Sequence, residues 1–95
     1  MSMLVKAKRW LQNAEGDLTK NTFCSSYAYC DKSVVTRQLA KEGVKWQTLL
    51  DNERLERYKT AINKDLSRAD KVKFLAFTDR SFEGWLRRMR IQGRL

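Results

Sequence analysis

The chain of 95 residues has no proline and no histidine, and it contains only four glycines and two cysteines. Strands joined by tight turns need more turn residues than this, so the scarcity of proline and glycine favours helices. Without histidine, two cysteines leave too few soft ligands for a zinc site, which usually needs four. These absences point to a helical protein without structural zinc.

The sequence also lacks the patterns of an enzyme. Without histidine, a catalytic nucleophile in this chain would be a Cys or Ser activated by a Lys or a carboxylate. No such pair of residues has the spacing of a known catalytic motif. A glycine-rich loop that could cradle a phosphate is absent as well. We therefore expect no enzymatic activity, no catalytic residue, no cofactor and no bound metal.

Long apolar runs are missing too. No run approaches the ~18 apolar residues of a membrane span, and the apolar part of the first ten residues, "MSMLVKAKRW", is too short for a signal peptide. Cys24 and Cys30 both lie in an apolar stretch, and we expect them to be buried free thiols in a reducing compartment. A cytoplasmic protein with no membrane partner is the prediction.

Positive charge is what the chain has in excess. There are 20 Lys and Arg residues against 11 Asp and Glu, a formal net charge of +9, and the excess is spread over both halves. A chain of this length forms one small domain. A folded domain with distributed positive charge favours nucleic acid as a partner, ahead of an anionic membrane surface.

Hydrophobic periodicity predicts an all-α fold of about six helices. The first has a stripe of apolar residues and ends at Gly16, and the second begins near Thr19, which can cap it. The others cover 31–42, 46–62, 68–75 and 79–91. The apolar residues expected to face inward on the first, second and fourth helices are Met3, Leu4, Ala7, Trp10, Leu11, Ala14, Phe23, Cys24, Tyr27, Trp46, Leu49, Leu50, Leu55, Tyr58 and Ile62.

The third helix has the clearest boundaries. In "DKSVVTRQLAKEG", Asp31 can accept hydrogen bonds from the first-turn amides as the N-cap, and Gly43 can end the helix. Val34, Val35 and Leu39 form its apolar stripe, and basic side chains occupy its other faces. The last helix repeats this arrangement, with Phe82, Trp85, Leu86 and Met89 predicted inward and Arg80, Arg87, Arg88 and Arg90 outward.

Two segments of the chain share one layout: "LTKNTFCSSYAYCDKSVVTRQL" and "LSRADKVKFLAFTDRSFEGWL". Each begins with Leu and a hydroxyl residue, forms a short helix, turns, and starts a second helix at an Asp. The pattern predicts two helix–turn–helix units joined by a long linker helix, with units at 1–45 and 64–95 and the linker at 46–63. The general motif places its second helix in the major groove of DNA.

With this layout, the chain resembles the DNA-binding domain of the AraC/XylS family of bacterial transcription regulators over almost its whole length. The similar stretches are "RQLAKEGVKWQTLLDNERLERYKTAI", which looks like the end of the first recognition helix and the linker with its central Arg54, and "DLSRADKVKFLAFTDRSF", which looks like the second unit. The resemblance implies a bacterial transcription regulator that binds double-stranded DNA through helices 31–42 and 79–91.

The chain also departs from the family pattern. Ala28 and Ala76 stand where the family usually has a turn glycine, and Ala76 is expected to keep a negative φ because a Cβ makes positive φ costly. Tyr29 is one residue extra in the first turn, and Lys71 occupies a position that is usually apolar. Phe82 lies one position early, so the register of the last helix is open. The family's effector-binding or dimerisation domain has no counterpart in this sequence.

The predicted DNA contacts lie on the second helix of each unit. Residues near the N-terminal end of a recognition helix reach base edges, and an arginine such as Arg37 can bridge guanine O6 and N7, whereas Gln38 could read adenine or bind a phosphate. Glu83 is either a cytosine reader or a surface charge. The residues predicted to contact DNA are Lys32, Ser33, Thr36, Arg37, Gln38, Lys41, Arg80, Glu83, Arg87 and Arg88.

Three further predictions concern single positions. Thr19 and Ser67, at helix starts, are candidates for phosphate binding, although plain capping explains them equally well. Arg54 is expected to be a structural partner for an acid of one unit. Trp10, Trp46 and Trp85 are expected in the core, because each lies on an apolar stripe.

Three functions fit this sequence. The first is a sequence-specific transcription regulator that binds DNA as a cytoplasmic, nucleoid-associated monomer, with RNA polymerase or another regulator as a further candidate partner. The second is a protein-binding adaptor or anti-regulator that has kept a helix–turn–helix scaffold. The third is a plasmid or phage accessory protein for partition, replication or recombination.

Overall fold

The computed structural model describes residues 2–95, which form six α-helices, with 72% of residues helical and no strand. The predicted all-α fold of about six helices is therefore confirmed. No helix in this part of the chain is long and apolar enough to cross a membrane. The helices are α1 Met3–Asn13, α2 Lys20–Phe23, α3 Lys32–Lys41, α4 Trp46–Asn63, α5 Arg68–Phe74 and α6 Asp79–Ile91.

Hydroxyl side chains cap four of the helices at their N-terminal ends. Each accepts a hydrogen bond from the backbone amide three residues later, at 3.2–3.3 Å, which satisfies one of the free amides of the first turn. The capping residues are Ser2, Thr19, Ser67 and Thr78.

Asp31 occupies the N-cap position of α3 but does not cap it with its side chain, so that prediction is wrong. Its backbone is extended as a cap requires, and its carbonyl oxygen accepts hydrogen bonds from the amides of Val34 and Val35 at 3.0 and 3.3 Å. The side chain is exposed, so water can solvate the carboxylate in place of the first-turn amides.

A π-helical segment, Cys24–Ala28, continues α2 up to the turn. Phe23 and Cys24 are buried as predicted, but Tyr27 is 44% exposed, which corrects its predicted inward position. The wider winding of a π-helix displaces later side chains around the helix axis, and only the ring of Tyr27 stays against Phe23, with the centroids 5.7 Å apart.

Two hydrophobic cores share the long helix α4. The first core takes Trp46, Leu49 and Leu50 from the start of α4 and packs them against α1, α2 and α3. The second takes Leu55 from the middle of α4 and packs it against α5 and α6. The packing thus divides within α4, which connects α1, α2 and α3 to α5 and α6.

Most predicted core residues are buried, including Val35, Leu39 and the four apolar residues of α6. Trp46 and Trp85 are buried, and Trp10 is half-buried with its ring 5.4 Å from Phe23. The inward position predicted for Ile62 is wrong, because Ile62 is 49% exposed and its neighbour Ala61 is fully buried instead. Cys24 and Cys30 are free thiols, but only Cys24 is buried, and burial raises the pKa of its thiol.

Candidate nucleic-acid interface

The outward face of α3 presents all six side chains predicted to contact DNA in the first unit. Val35 and Leu39 are fully buried, so they hold the opposite side of the helix against the first core. The exposed residues are Lys32, Ser33, Thr36, Arg37, Gln38 and Lys41. The helix therefore combines one anchored apolar face with a polar, basic surface.

Lys20 adds a positive charge to this surface that the sequence analysis missed. Its Nζ donates a hydrogen bond to Thr36 Oγ1 at 2.7 Å, from α2 across to α3. The hydroxyl of Thr36 therefore has a partner in the free protein. The only signal in the sequence was a lysine in the first turn of the preceding helix, and no periodicity relates it to Thr36.

The four residues predicted on α6 divide into two pairs. Arg80 and Arg87 are exposed, whereas Glu83 forms an ion pair with Arg68 and Arg88 forms one with Asp51 at 3.1 Å. The pair between Glu83 and Arg68 leaves both side chains about half exposed. The surface-charge interpretation of Glu83 thus has a structural basis, while Arg80 and Arg87 are directed to solvent.

Asp51 is a buried acid on α4 that holds α6 in place, and the sequence analysis did not identify it. Its Oδ1 accepts hydrogen bonds from Gln47 Nε2 at 3.0 Å, Trp85 Nε1 at 3.3 Å and Arg88 Nη2 at 3.1 Å. The residue is only 7% exposed. A buried carboxylate is tolerated when it is well hydrogen-bonded, so this network fixes the rotation of α6 relative to the linker.

Arg54 stabilises the turn of the second unit, as a structural residue rather than a surface one. Its predicted partner, an acid, is wrong: Nε donates to the carbonyl oxygen of Leu75 at 3.0 Å and Nη2 to that of Ala76 at 3.2 Å. Its guanidinium also lies 3.7 Å from the centroid of the Phe77 ring. Burial lowers the pKa of Arg54 to about 10, so it stays charged at neutral pH.

Ala76 has a φ of +60°, which contradicts the expectation of a negative angle. The amide of Ala76 donates to the carbonyl of Lys73 and the amide of Phe77 to that of Val72, which is the hydrogen-bond pattern of a Schellman C-cap. That motif requires a left-handed residue after the helix. The C-cap and the two hydrogen bonds from Arg54 offset the steric cost of the Cβ.

Arg57 connects the two halves of the molecule. Its Nη2 donates to the carbonyl oxygens of Leu11 at 2.7 Å and Ala14 at 2.8 Å, and its Nη1 donates to that of Phe74 at 3.0 Å. Nε lies 3.4 Å from the carboxylate of Glu53 on the same helix. The residue is 8% exposed, and its guanidinium group joins the end of α1 to the end of α5.

Thr19 and Ser67 both serve as helix caps in the structure. The hydroxyl of Thr19 accepts from the amide of Thr22 at 3.3 Å, and that of Ser67 accepts from the amide of Asp70 at 3.2 Å. The amide of Thr19 also donates to Asp17 at 2.8 Å, so a carboxylate already occupies the start of α2. Phosphate binding by either residue stays a prediction.

A cleft of about 680 Å³ lies between α1, α4 and α5. Its lining includes four carboxylates and the ring of Phe74, and no residue of α3 or α6 lines it. Burial raises the pKa of one of these carboxyls, Glu53, although Arg57 opposes the shift. The carboxylates are Glu15, Glu53, Glu56 and Asp70. The lining also contains Lys73 and Arg57, so its carboxylates outnumber its basic side chains, in a protein whose net charge is +9.

Across residues 2–95, no three Cys, Asp or Glu side chains come together in a way that could hold a metal ion.

Comparisons with protein-family models, with curated proteins and with solved structures found no match. The interpretation of the surfaces therefore depends on their own chemistry.

Proposed function

We propose that this protein binds double-stranded DNA in a sequence-specific manner and regulates transcription, with α3 and α6 as the recognition helices. The observation that carries the proposal is the pairing of two helix–turn–helix units, each with a buried apolar face and a basic exposed face on its second helix. The buried residues Arg57 and Asp51 of α4 bind groups of both units, so both basic helices are held in a defined orientation.

The dimensions of the molecule favour bent DNA. Major grooves on one side of a straight duplex repeat every ~34 Å. The described chain extends 36 Å along its longest axis, so two helices at that spacing would have to lie at its opposite ends. Bending the duplex towards the protein shortens the distance between the grooves, at a cost of about 1–6 kcal/mol. We expect both units to engage an asymmetric site of ~17–20 base pairs on bent DNA.

The proposed contacts follow from the exposed side chains. Arg37 reads a guanine and Ser33 and Gln38 contact bases or phosphates from α3, while Arg80 and Arg87 act from α6. Lys20, Lys32 and Lys41 contribute mainly phosphate contacts, which raise affinity without reading sequence. A protein of this kind works as a monomer in the cytoplasm, associated with the nucleoid, and has no catalytic activity.

The test is selection from a randomised duplex library at two salt concentrations. Recovery of one asymmetric site supports the proposal, and Arg37→Ala is expected to lose about 1–3 kcal/mol and to relax one base position. Lys59→Ala is the matched control, since Lys59 is exposed on α4 and forms an exposed ion pair with Glu56. If nothing is enriched and weak binding collapses as salt rises, the positive charge acts only non-specifically.

The acidic cleft favours a second candidate, a protein-binding adaptor. Carboxylates in the cleft would repel phosphate and attract a basic segment of RNA polymerase or another regulator. On this candidate, DNA affinity stays near the non-specific level of ~10⁻⁵ M, and a basic protein partner binds tightly. Glu56→Lys, at an exposed position of the cleft, would then abolish partner binding and leave DNA affinity equal or higher.

A further inference from the structure

Tyr29 occupies a strained position in the turn that leads into α3. Its backbone angles, φ 51° and ψ 47°, lie in the left-handed region. The other residues that close turns with positive φ include three glycines, Gly16, Gly43 and Gly93. A side chain with a Cβ is sterically unfavourable in this conformation relative to the right-handed one. A glycine at this position would avoid that steric cost.

The rest of the protein does not compensate for this strain through the side chain. Tyr29 is 81% exposed, and within residues 2–95 its hydroxyl forms no hydrogen bond and its ring contacts no other aromatic ring. Ala28 and Cys30 on either side both pack against the first core. The anchored neighbours therefore hold the turn in place and direct the tyrosine into solvent.

The second unit provides a contrast. Its left-handed residues with a Cβ are Asp65 and Ala76. Asp65 has the short polar side chain of a residue type that visits this conformation, whereas Ala76 is half-buried, packs against the first core and has its carbonyl bound by Arg54. The small side chain of Ala76 therefore packs towards the inside of the molecule. A large aromatic side chain with a polar tip, strained and without an internal partner, is the kind of local exception that marks a functional position.

We infer that Tyr29 is a DNA-positioning residue, whose phenol hydroxyl donates a hydrogen bond to a phosphate at the edge of the groove that α3 enters. Three positions later in the chain, Lys32 begins α3, so the exposed tyrosine lies at the same end of the helix as the predicted base contacts. Tyrosine hydroxyls commonly bind the DNA backbone in this way and fix the register of the recognition helix. The inference rests on the DNA binding proposed above.

The experiment measures both thermal stability and affinity for the selected duplex. In Tyr29→Gly, relief of strain is expected to leave the melting temperature unchanged or higher, whereas the loss of the phosphate contact lowers affinity about 5- to 20-fold. Tyr29→Phe keeps the ring and is expected to show most of that loss. Because tyrosine is uncharged, the salt dependence of binding should keep its slope, unlike that of Lys32→Ala, which falls by about 1.

Ala76→Gly is the matched control, because it removes the same kind of backbone strain in the other turn. It is expected to leave DNA affinity within twofold of wild type. If Tyr29→Gly or Tyr29→Phe binds the duplex as tightly as wild type, the inference is wrong while the proposed function stands. If wild-type protein selects no duplex at all, the proposed function fails and the role of Tyr29 fails with it.

Discussion

Arg57 Nη2 lies 2.7 Å from the carbonyl oxygen of Leu11, a residue 46 positions earlier in the chain. The same guanidinium also binds the carbonyl of Phe74 at 3.0 Å. One buried side chain of α4 therefore holds the end of α1, in the first unit, and the end of α5, in the second. In a small two-core molecule, such a contact can set the relative orientation of the two basic helices.

Replacing Arg57 is expected to destabilise the whole protein. Arg57→Ala removes charge-assisted hydrogen bonds to three carbonyls and leaves a cavity, and we expect a loss of about 2–4 kcal/mol in the free energy of unfolding. Lys59→Ala, two positions along the same helix but exposed, should change it by less than about 0.5 kcal/mol. Denaturant unfolding measures both. Equal stabilities of the two variants would contradict the role assigned to Arg57.

Arg87 and Arg88 are neighbours in sequence that should behave differently. Arg88 binds the buried Asp51, so Arg88→Ala is expected to lower the melting temperature, with a loss of about 1–3 kcal/mol because the buried acid loses its cation and one of its three hydrogen bonds. Arg87 is exposed, so Arg87→Ala should leave stability unchanged and weaken DNA binding, with the salt slope reduced by about 1. Thermal melts and salt titrations of both variants separate the roles; a reversed pattern would contradict the assignment.

Replacing Asp51 is expected to lower the free energy of unfolding more than replacing an exposed residue of α4. In Asp51→Ala, Trp85 Nε1, a buried donor, loses its partner, and Gln47 and Arg88 lose theirs. We expect a loss of about 3 kcal/mol or more in the free energy of unfolding, with weaker DNA binding because α6 loses its fixed rotation. Asn63→Ala, exposed at the end of α4, is the control, and an equally small effect at both sites would rule out the anchoring role.

The raised pKa of Glu53 leads us to expect that the free energy of unfolding depends on pH. Burial raises the pKa of its carboxyl above the usual value of 4.5, so the folded state binds this proton more tightly than the unfolded state. The stabilisation that this difference in proton affinity provides is present below pH 4.5. It is lost as the pH rises through the raised pKa of Glu53 in the folded state. In Glu53→Gln, this fall in stability with rising pH should disappear, whereas Glu56→Gln should keep it. Urea unfolding at pH values from 4 to 7 is the measurement; an identical profile in all three proteins would contradict the assignment.

Local patterns in the sequence predicted most of the fold. The bounds of α6 and the inward positions of Phe82, Trp85 and Met89 match the structure, because side chains three and four residues apart share one face of a helix. The pattern failed at Tyr27 and Ile62. At Tyr27 the helix changes its winding, and at Ile62 the second core ends before the helix does.

The candidate interface was predictable only in part. Exposure of Lys32, Arg37 and Arg87 follows from their place opposite an apolar stripe. That Lys20 reaches Thr36, and that Arg88 is held by Asp51, depends on helices meeting at particular angles. No spacing along the chain encodes which of two adjacent arginines meets a buried acid.

The amino-acid sequence by itself determined the helical class, the capping hydroxyls of Thr19 and Ser67 and the basic outer faces, because these depend on residues within about one turn of each other. Only the tertiary structure decided the partners of Arg54 and Arg57 and the positive φ of Ala76. Those contacts join residues 17–46 positions apart, so they form only when packed helices bring a buried donor to the free carbonyls at another helix's end.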